Sequence, residues 1–454
     1  MRDLPFPPAS VTSRIVDSLL AKPVTGADLD RAALHVLDWA GVAMAALDQP
    51  VAAALAKLVD RPFAGPAATR IDGRKAGLEQ AILFNGALGN VLEMDDVHRE
   101  AVLHAGDVVI PAALAVAEAR DADGATCLAA ILGGYELAIL LAKLTGPAHY
   151  RTFYPTATAG IFGATFAVAR LMGLGADDIT SALGHAGMMA AGLWQCRLEA
   201  CDAKQTIAAH AALSALRAAE MAEAGLKGPR HILEGDLGFL AALAPAADAG
   251  KIALGPTWLL HEVSFKPWPA CRHVHPVIEA AITLRGQGVL AADVVHLDIA
   301  TYETALTFAD APRPASPHAA RFSLQHGVAV ALLKGYFGLT DSAPEAIDTP
   351  SVAALRAKVR VAPDAELSAI YPRRFPARLQ ATLRDGSVKT VMVASAKGDP
   401  ENPMTTAEIH DKARGWFATR MTPAAADALV AAATALPSTP IRQFTAALAA
   451  PATA

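Results

Sequence analysis

Apolar residues recur with the period of an α-helix from Val11 to about Ala247, and one predicted helix follows another. Thr25, with Asp28 three residues later, is typical of a helix N-terminus, and apolar residues then continue at helical spacing. Several later segments are apolar on all faces, which is typical of helices at the centre of a helical domain. The sequence predicts these further helices: 78–92, 110–119, 127–144, 156–171, 177–193 and 206–224.

The pattern changes after Pro276, where helical and strand periods mix. Residues 294–301 alternate apolar and polar, as a half-buried strand does, and 358–361 also favours a strand. Segments 378–384 and 388–395 flank Asp385-Gly386, which predicts a β-hairpin. Helices are predicted at 277–284, after Ser316-Pro317, and again from Thr405, which has Glu408 three residues later.

These elements predict a mainly α fold with two domains, which the length of 454 residues also favours. We expect a large all-helical domain that both chain ends build, with a smaller α+β domain inserted as a lid. The expected boundaries are 1–266 and 404–454 for the helical domain and 267–403 for the inserted one.

Composition narrows the class of partner. The chain is 53% hydrophobic and only 18% charged, which predicts a large core and a buried subunit interface. A net charge of −5 with interspersed signs gives no basic surface for nucleic acid, so we expect none and predict a small-molecule partner.

The chain is expected to be a cytoplasmic protein with no membrane segment. Asp3 and three prolines interrupt the N-terminal stretch MRDLPFPPAS, where a signal peptide needs a continuous apolar core. The longest uncharged run, 152–169, contains Pro155 and favours a buried core helix over a membrane span. The four cysteines have no CxxC spacing, which argues against a disulfide framework or a cysteine-ligated cluster.

Candidate chemistry is densest in the stretch FKPWPACRHVHP, residues 265–276. Its prolines exclude a regular helix through the segment. We interpret the stretch as a hinge and the edge of an active site because it concentrates basic and nucleophilic side chains: Lys266, Cys271, Arg272, His273 and His275.

A polar loop between two apolar helices is the second candidate. It carries proton donors and acceptors of several types, which suits an active site: Glu93, Asp95, Asp96, His98 and His104. A solvated loop with helix-capping acids explains the same residues equally well. A metal site is a minority alternative here, because carboxylates and imidazoles coincide but their spacing matches no standard ligand motif.

Two helix N-termini complete the set of candidates. Arg151 and Tyr154 precede a helix that Pro155 opens, an arrangement that suits a carboxylate, although ordinary helix capping is the alternative. Lys204 stands just before an apolar helix, where a lysine is unfavourable unless an anion is near, although a plain surface lysine is the alternative.

Four segments resemble, in order and spacing, the signature segments of the MmgE/PrpD family. They are LEMDDVHREAVLHAGDVVIPAALAVAE, YPTATAGIFGA, FKPWPACRHVHP and RFSLQHGVAVALL. That family includes 2-methylcitrate dehydratase, cis-aconitate decarboxylase and iminodisuccinate epimerase. The resemblance implies a helical domain with a lid, a homodimer, no metal or organic cofactor, and an active site in the cleft between the domains.

The resemblance also assigns positions. The family's acidic position falls on Glu93 or on Asp95-Asp96, its histidine on His104, and its two lysines on Lys204 and Lys266. Four positions depart from the residues usual in dehydratase and decarboxylase members: Val97 for threonine, Tyr154 for histidine, Cys271 for histidine and His326 for tyrosine.

The reactions that the resemblance implies begin at a carbon beside a carboxylate of a di- or tricarboxylate. Lys266 is the expected base, with Asp95 and His104 also catalytic. Tyr154 on the opposite face would return the proton, so an epimerase of an iminodisuccinate-like substrate is our first prediction. The expected binding residues are Arg151, Lys204, Arg272, Arg321, Glu93, Asp96, Cys271 and His326.

Three other functions stay open. A 2-methylcitrate-type dehydratase would use His104 as the acid that protonates the departing hydroxyl. A cis-aconitate-type decarboxylase ranks third because Tyr154 and Cys271 replace the expected histidines. A helical dimer that binds an anion without turnover is the non-enzyme alternative.

Overall fold

The computed structural model describes residues 9–199 and 201–449, and its first part is almost entirely helical. Before residue 264 the elements are α1 (Val11–Ala21), α2 (Gly26–Ala45), α3 (Pro50–Val59), β1 (Ala67–Thr69), β2 (Lys75–Gly77), α4 (Leu78–Leu88), α5 (Gly106–Ala119), α6 (Gly124–Tyr150), α7 (Pro155–Thr158), α8 (Gly160–Leu171), α9 (Ala176–Met189), α10 (Ala203–Glu223) and α11 (Phe239–Leu243).

Strands and shorter helices alternate after that point, and helices close the chain. The elements are α12 (His275–Gly286), β3 (Val294–Thr301), α13 (Glu303–Ala309), α14 (Pro317–Arg321), α15 (Leu324–Lys334), α16 (Pro344–Ile347), α17 (Pro350–Arg356), β4 (Val359–Pro363), α18 (Ala365–Ile370), β5 (Ala377–Leu383), β6 (Val388–Val393), α19 (Thr406–Phe417), α20 (Pro423–Thr434) and α21 (Ile441–Leu448).

The chain divides into two compact units. The helical unit comprises 1–91, 95–263 and 405–454, and the second unit comprises 92–94 and 264–404. Both chain ends therefore build the helical unit, and the fold is mainly α with a smaller α+β part, as the sequence predicted. The division falls three residues before the predicted boundary at 266, so Lys266 lies in the second unit, and Glu93 lies there too.

Small residues let the central helices of the helical unit approach closely. Gly134 of α6 faces Gly163 of α8, and a Cβ added at Gly163 would overlap the carbonyl oxygen of Gly134. The ring of Phe166 occupies the space above Gly133 in the same way. The apolar helices that the sequence predicted at the centre of this domain thus pack through backbone contact.

Gly163→Ala should destabilise the protein because neither backbone can yield without moving a packed helix. Overpacking of this kind costs about 1–3 kcal/mol in free energy of unfolding. Gly415 is the matched control, since it lies in α19 with open space around its Cβ position. Gly415→Ala should instead stabilise by about 0.5–1 kcal/mol. Urea denaturation measures both, and equal effects would contradict this account of the helix crossing.

A four-stranded sheet with the order β4-β3-β5-β6 forms the second unit's framework. β3 pairs parallel to β4 and antiparallel to β5, so Ile299 lies between Val361 and Leu379. Helices α12 and α15 supply the apolar residues that cover it, among them Val277, Ile278 and Val328. The predicted hairpin is confirmed, and Gly386 takes the positive φ of 81° that its turn requires.

The predictions failed where contacts distant in sequence determine the backbone. The helix predicted at 177–193 ends at Met189, because Leu193 pairs with Phe153 and Gly192 adopts a φ of 140°. The helical domain also contains the short β1–β2 pair, which the sequence analysis missed. Helix α12 begins at His275, inside the stretch predicted to be irregular, since Pro276 occupies its first turn without distortion.

Helix α6 is long and apolar enough to cross a membrane, by length and composition alone. In the structure, 83% of its apolar window is buried inside the protein, as in the core helix of a soluble protein. The chain turns sharply at Gly146, which has a φ of 67° and precedes Pro147.

Candidate active site

An acid–base pair forms in the loop that connects α4 to α5. The carboxylate of Asp95 lies 2.5 Å from His104 Nδ1 and accepts a 2.7 Å hydrogen bond from Asn90 Nδ2. His104 Nδ1 also lies 2.9 Å from the carbonyl oxygen of Asp96. Both neighbours of Nδ1 are acceptors, so this nitrogen carries the proton. The lone pair of the neutral ring is therefore on Nε2, and the side chain is 13% exposed.

The backbone fixes the loop that holds this pair. His98 and Leu103 exchange backbone hydrogen bonds of 2.9 and 3.3 Å, which closes a tight turn. The amide of His104 donates to Thr156 Oγ1 at 3.1 Å, so α7 anchors the far end. The histidine is thus held on both its ring and its backbone.

Asp96 faces away from this histidine and into the helices. It accepts hydrogen bonds from His35 Nδ1 at 2.6 Å, from the Tyr135 hydroxyl at 2.7 Å and from the Gly106 amide at 3.2 Å. Burial alone would raise its pKa, but the hydrogen bonds from His35 and Tyr135 oppose burial and the pKa is lowered. Burial lowers the pKa of His35 to about 4, so its ring is neutral at neutral pH.

Two further buried carboxyl groups surround the pair. Burial, followed by the charge and hydrogen bond of Asp95, raises the pKa of Asp107 well above its ordinary value, while Lys204 opposes the shift. Burial likewise raises the pKa of Asp38 to about 6, against the effect of Lys412, which lies 2.6 Å away. The region is therefore crowded with acidic groups that must share few positive charges.

Tyr154 caps the start of α7, as the sequence predicted, whereas Arg151 caps the end of α6. Tyr154 is fully buried, with its ring centroid 4.6 Å from that of Trp194, and its amide donates to the carbonyl of Gly192. Arg151 is exposed at the end of α6. Within the helical unit the fold thus holds Tyr154 rigidly and leaves Arg151 in solvent.

Lys266 and Arg272 belong to the second unit. Lys266 is fully buried, and the amide before it, of Phe265, donates to the carbonyl of Gly398 at 3.1 Å. The Arg272 guanidinium forms an ion pair with Asp399 and donates to the carbonyl oxygens of Ala396 and Lys397. Asp399, in turn, accepts from Ser264 Oγ at 2.6 Å. These described contacts of Arg272 are structural, and its role in substrate binding stays a prediction.

Glu93, Arg321 and Cys271 lie close together in the same unit. Burial lowers the pKa of Arg321, and the negative charge of Glu93 opposes that effect. The amide of Cys271 donates to the carbonyl of Arg321 at 2.9 Å. Glu93 is buried and adopts a positive φ of 57°, a strained conformation for a residue with a side chain.

His326 is fixed by contacts inside the second unit. Its Nε2 donates to the carbonyl of Asp341 at 2.8 Å, and Arg356 Nη1 lies 3.3 Å from its Nδ1. Burial lowers its pKa. Both ring nitrogens are thus engaged, and its predicted role as a substrate-binding residue is untested.

The spacing of Asp95, His104 and Asp107 would also admit a cation, since one ligand atom of each lies within 4.8 Å of the others. The Asp95 carboxylate and the Asp96 carbonyl already engage His104 Nδ1, so Nε2 is the ring nitrogen with a lone pair to offer such an ion. Without a cation, the three residues form a compact acid–base cluster.

Sequence reasoning missed Asp107 of this cluster and the two side chains that bond to Asp96, His35 and Tyr135. His35 and Tyr135 lie in apolar helical stretches, where nothing in the local pattern marks them as partners of Asp96. Asp107 gave a usable signal, because a charged residue at the start of the apolar segment DVVIPAALAVA is costly to bury without a role.

The fold and the loop together define a two-unit, mainly helical protein with a buried acid–base cluster. A model of the MmgE/PrpD N-terminal domain matches residues 12–251, and one of the C-terminal domain matches residues 268–436. The chain belongs to the MmgE/PrpD family.

The chain is also similar, at lower identity, to several characterised enzymes. Human cis-aconitate decarboxylase is 26% identical over 355 residues, covering 74% of this chain and 71% of that protein. Cis-aconitate decarboxylase of Aspergillus terreus is 25% identical over 448 residues, covering 89% of each. The 2-methylcitrate dehydratase of Cupriavidus necator is 29% identical over 237 residues, or 49% of each chain.

Proposed function

We propose that this protein is a cofactor-independent lyase that dehydrates a hydroxylated di- or tricarboxylate. One observation carries the choice of reaction: His104 presents Nδ1–H to Asp95 and keeps Nε2 for proton transfer. An imidazole held in this way is a suitable general acid, because the carboxylate stabilises its protonated form. Relatives named as a dehydratase and as decarboxylases favour lyase chemistry over epimerisation.

The proposed reaction is an elimination. Lys266, whose side chain is out of water, removes a proton from the carbon beside a substrate carboxylate. The electron pair of that C–H bond forms the C=C bond as the C–O bond breaks. For this step His104 must enter as the imidazolium, with a proton on each ring nitrogen; it donates the Nε2 proton to the departing hydroxyl, which leaves as water, and becomes the neutral Nδ1–H ring. After the elimination Lys266 is protonated and His104 is neutral. Proton exchange with solvent returns both groups to their starting states.

Epimerisation is the second candidate, and Tyr154 is the observation that favours it. The resemblance expects a histidine at this position, and the tyrosine is fully buried against Trp194. A tyrosine there would return a proton to the opposite face of the same carbon in an iminodisuccinate-like substrate. Decarboxylation of a cis-aconitate-like substrate comes third, although most of the named relatives carry that activity.

A panel of polycarboxylates tests the proposal. The purified protein is incubated with 2-methylcitrate, with citrate and with cis-aconitate, and ultraviolet absorbance follows the conjugated alkene. We expect absorbance to rise with one hydroxylated substrate. If cis-aconitate is instead consumed with release of carbon dioxide, the decarboxylase is correct.

Lys266→Met should abolish turnover of that substrate, because it removes the base while keeping a long side chain. General-base catalysis contributes about 10²–10⁴-fold to rate. Lys389→Met is the matched control, since Lys389 is exposed on β6 of the same unit. An unchanged rate in Lys266→Met would exclude this lysine as the base. Binding without turnover by the wild-type protein in a thermal-shift assay would favour the anion-binding alternative.

We also propose that the protein is a cytoplasmic homodimer. Large apolar side chains are exposed in and after α9, which supports an interface on the helical unit: Met188 at 73%, Leu193 at 61% and Leu198 at 70%. Light scattering coupled to size exclusion measures the mass, and a single 46.9 kDa species would exclude the dimer.

A further inference from the structure

Asp107 is a buried acid that the proposed reaction does not use. It lies in the first turn of α5 and is 0% exposed. Within residues 9–199 and 201–449, neither of its carboxyl oxygens accepts a hydrogen bond from an N–H or O–H donor. A carboxyl oxygen of Asp95 and a ring nitrogen of His104 each lie within 4.8 Å of a carboxyl oxygen of Asp107. Two carboxyl groups can hydrogen-bond each other only when one of them holds a proton.

The backbone around Asp107 forces this proximity. A Cβ added at Gly89 would overlap the Asp107 carboxyl group and the indole nitrogen of Trp39. The glycine therefore lets α4 end directly against α5. Asp107 cannot turn toward solvent, and its oxygens stay close to Asp95 and to His104.

Titratable groups on several neighbouring elements lie around Asp107 and Asp95. Tyr135 on α6 is uncharged, because burial raises its pKa. His35 on α2 is neutral, and His104 donates to Asp95. Four carboxyl groups (Asp38, Asp95, Asp96 and Asp107) lie in this region, and the cations near them among the described residues include Arg31 on α2, Lys204 on α10 and Lys412 on α19.

A proton on one of these carboxyl groups relieves their mutual repulsion. Several ionised carboxylates close together and away from water are costly. Asp95 already accepts from Asn90 and His104, and Asp96 accepts three hydrogen bonds, so both are stabilised as carboxylates. Asp38 has Lys412 beside it. Asp107 has no such donor, and is the group for which neutrality is favoured.

We propose that Asp107 and Asp95 hold one proton between them, and that Asp107 acts through Asp95 as a positioning residue for His104. The Asp107 hydroxyl donates to Asp95, which then accepts from three donors and remains ionised. An ionised Asp95 holds a proton on His104 Nδ1. The other ring nitrogen, Nε2, is then available to take up and release the catalytic proton. The role toward His104 rests on the proposed function, whereas the shared proton does not.

The shared proton is tested by stability, without any substrate. A carboxyl group whose pKa is raised in the folded protein stabilises it at low pH, and this contribution is lost as pH rises through the folded pKa. Asp107→Asn has no proton to lose there, and Asn can still donate to Asp95. In a scan from about pH 5 to about pH 9, we expect the melting temperature of Asp107→Asn minus that of the wild type to increase until Asp107 ionises in the folded protein. Asp38 titrates in both proteins, so its contribution cancels in the difference between their melting temperatures.

A constant difference across this range would overturn the proposal, because Asp107 would then be ionised throughout. Finding a stoichiometric divalent ion in the wild-type protein, absent from Asp107→Asn, would also overturn it, since a metal would occupy the place of the proton. Infrared spectroscopy gives a second readout. The carbonyl band of a protonated carboxylic acid should be present in the wild type at neutral pH and missing from Asp107→Asn.

The positioning role is tested by two variants of similar volume. Asp107→Leu cannot donate to Asp95, and we expect kcat to fall about 10- to 100-fold with KM little changed, the cost of one hydrogen bond to a charged group. Asp107→Asn should rescue most of kcat at neutral pH. Equal losses in both variants, or a loss confined to KM, would overturn the role. If no polycarboxylate is turned over by the wild type, the proposed function fails, while the melting-temperature series still decides the shared proton.

Discussion

His104→Gln should lower kcat by about 10²–10⁴-fold, the contribution of a general acid or base. Glutamine preserves hydrogen bonding to Asp95 but cannot hold and release a proton near neutral pH. The loss should fall on kcat, because His104 donates its proton in the transition state of the elimination. Steady-state kinetics on the substrate found in the polycarboxylate panel measures it.

His210→Gln is the matched control for this variant. His210 is exposed on α10 of the same unit, and its described contact is with Ser214 one turn away. We expect its kcat to equal that of the wild type. A His104→Gln enzyme that retained full activity would remove this histidine from the mechanism, and with it the reason for preferring dehydration.

Arg272→Met should destabilise the second unit by about 3–5 kcal/mol, the usual cost of removing one partner of a buried ion pair. Asp399 is 0% exposed and pairs with the Arg272 guanidinium, so the variant removes this positive charge from beside a buried carboxylate. The carbonyl oxygens of Ala396 and Lys397 lose their described Arg272 donors as well. Urea denaturation followed by circular dichroism should show an earlier transition.

Two further variants distinguish the effect of the buried ion pair from the effect of removing an arginine anywhere in the unit. Arg378→Met breaks an exposed pair with Asp364 in the same unit, and exposed pairs contribute about 0–1 kcal/mol. The double variant Arg272→Met, Asp399→Asn should recover part of the lost stability, since it leaves no unpaired charge. If Arg272→Met were no less stable than Arg378→Met, the arginine would be available for substrate, as the sequence analysis predicted.

Local signals in the sequence explain why much of the fold could be predicted. Thr25 and Asp28 form the capping box that their spacing predicted, and Asp385-Gly386 makes the predicted hairpin turn. Each depends on residues within one or two turns of chain. The end of α9 and the β1–β2 pair were missed, since partners elsewhere in the chain determine them.

Some residues of the candidate site could be predicted from local sequence, and others could not. The sequence indicated Asp95, Asp96 and His104 because polar residues of matching type occur together between apolar helices. It could not indicate His35 and Tyr135, which bond to Asp96 across 61 and 39 residues of chain. Nor could it show which nitrogen of His104 carries the proton, because that follows from the carbonyl of Asp96 and the carboxylate of Asp95.

The roles predicted for residues of the second unit also depend on contacts between residues far apart in sequence. Arg272 was predicted to clamp a carboxylate because it lies in a basic stretch, but its partner Asp399 is 127 residues away and gave no local signal. His326 was predicted to bind substrate at a position where the family has tyrosine, yet its described contacts are structural. Both roles therefore stay predictions.

Proton NMR of the reaction in deuterated water tests the central claim, proton removal beside a carboxylate followed by loss of hydroxyl, most directly. The wild-type protein is incubated with the hydroxylated substrate from the panel, and substrate and product are observed together. We predict that an alkene signal grows as the substrate disappears and that Lys266→Met and His104→Gln abolish it. Deuterium entering the recovered substrate without alkene would contradict dehydration and establish the epimerase instead.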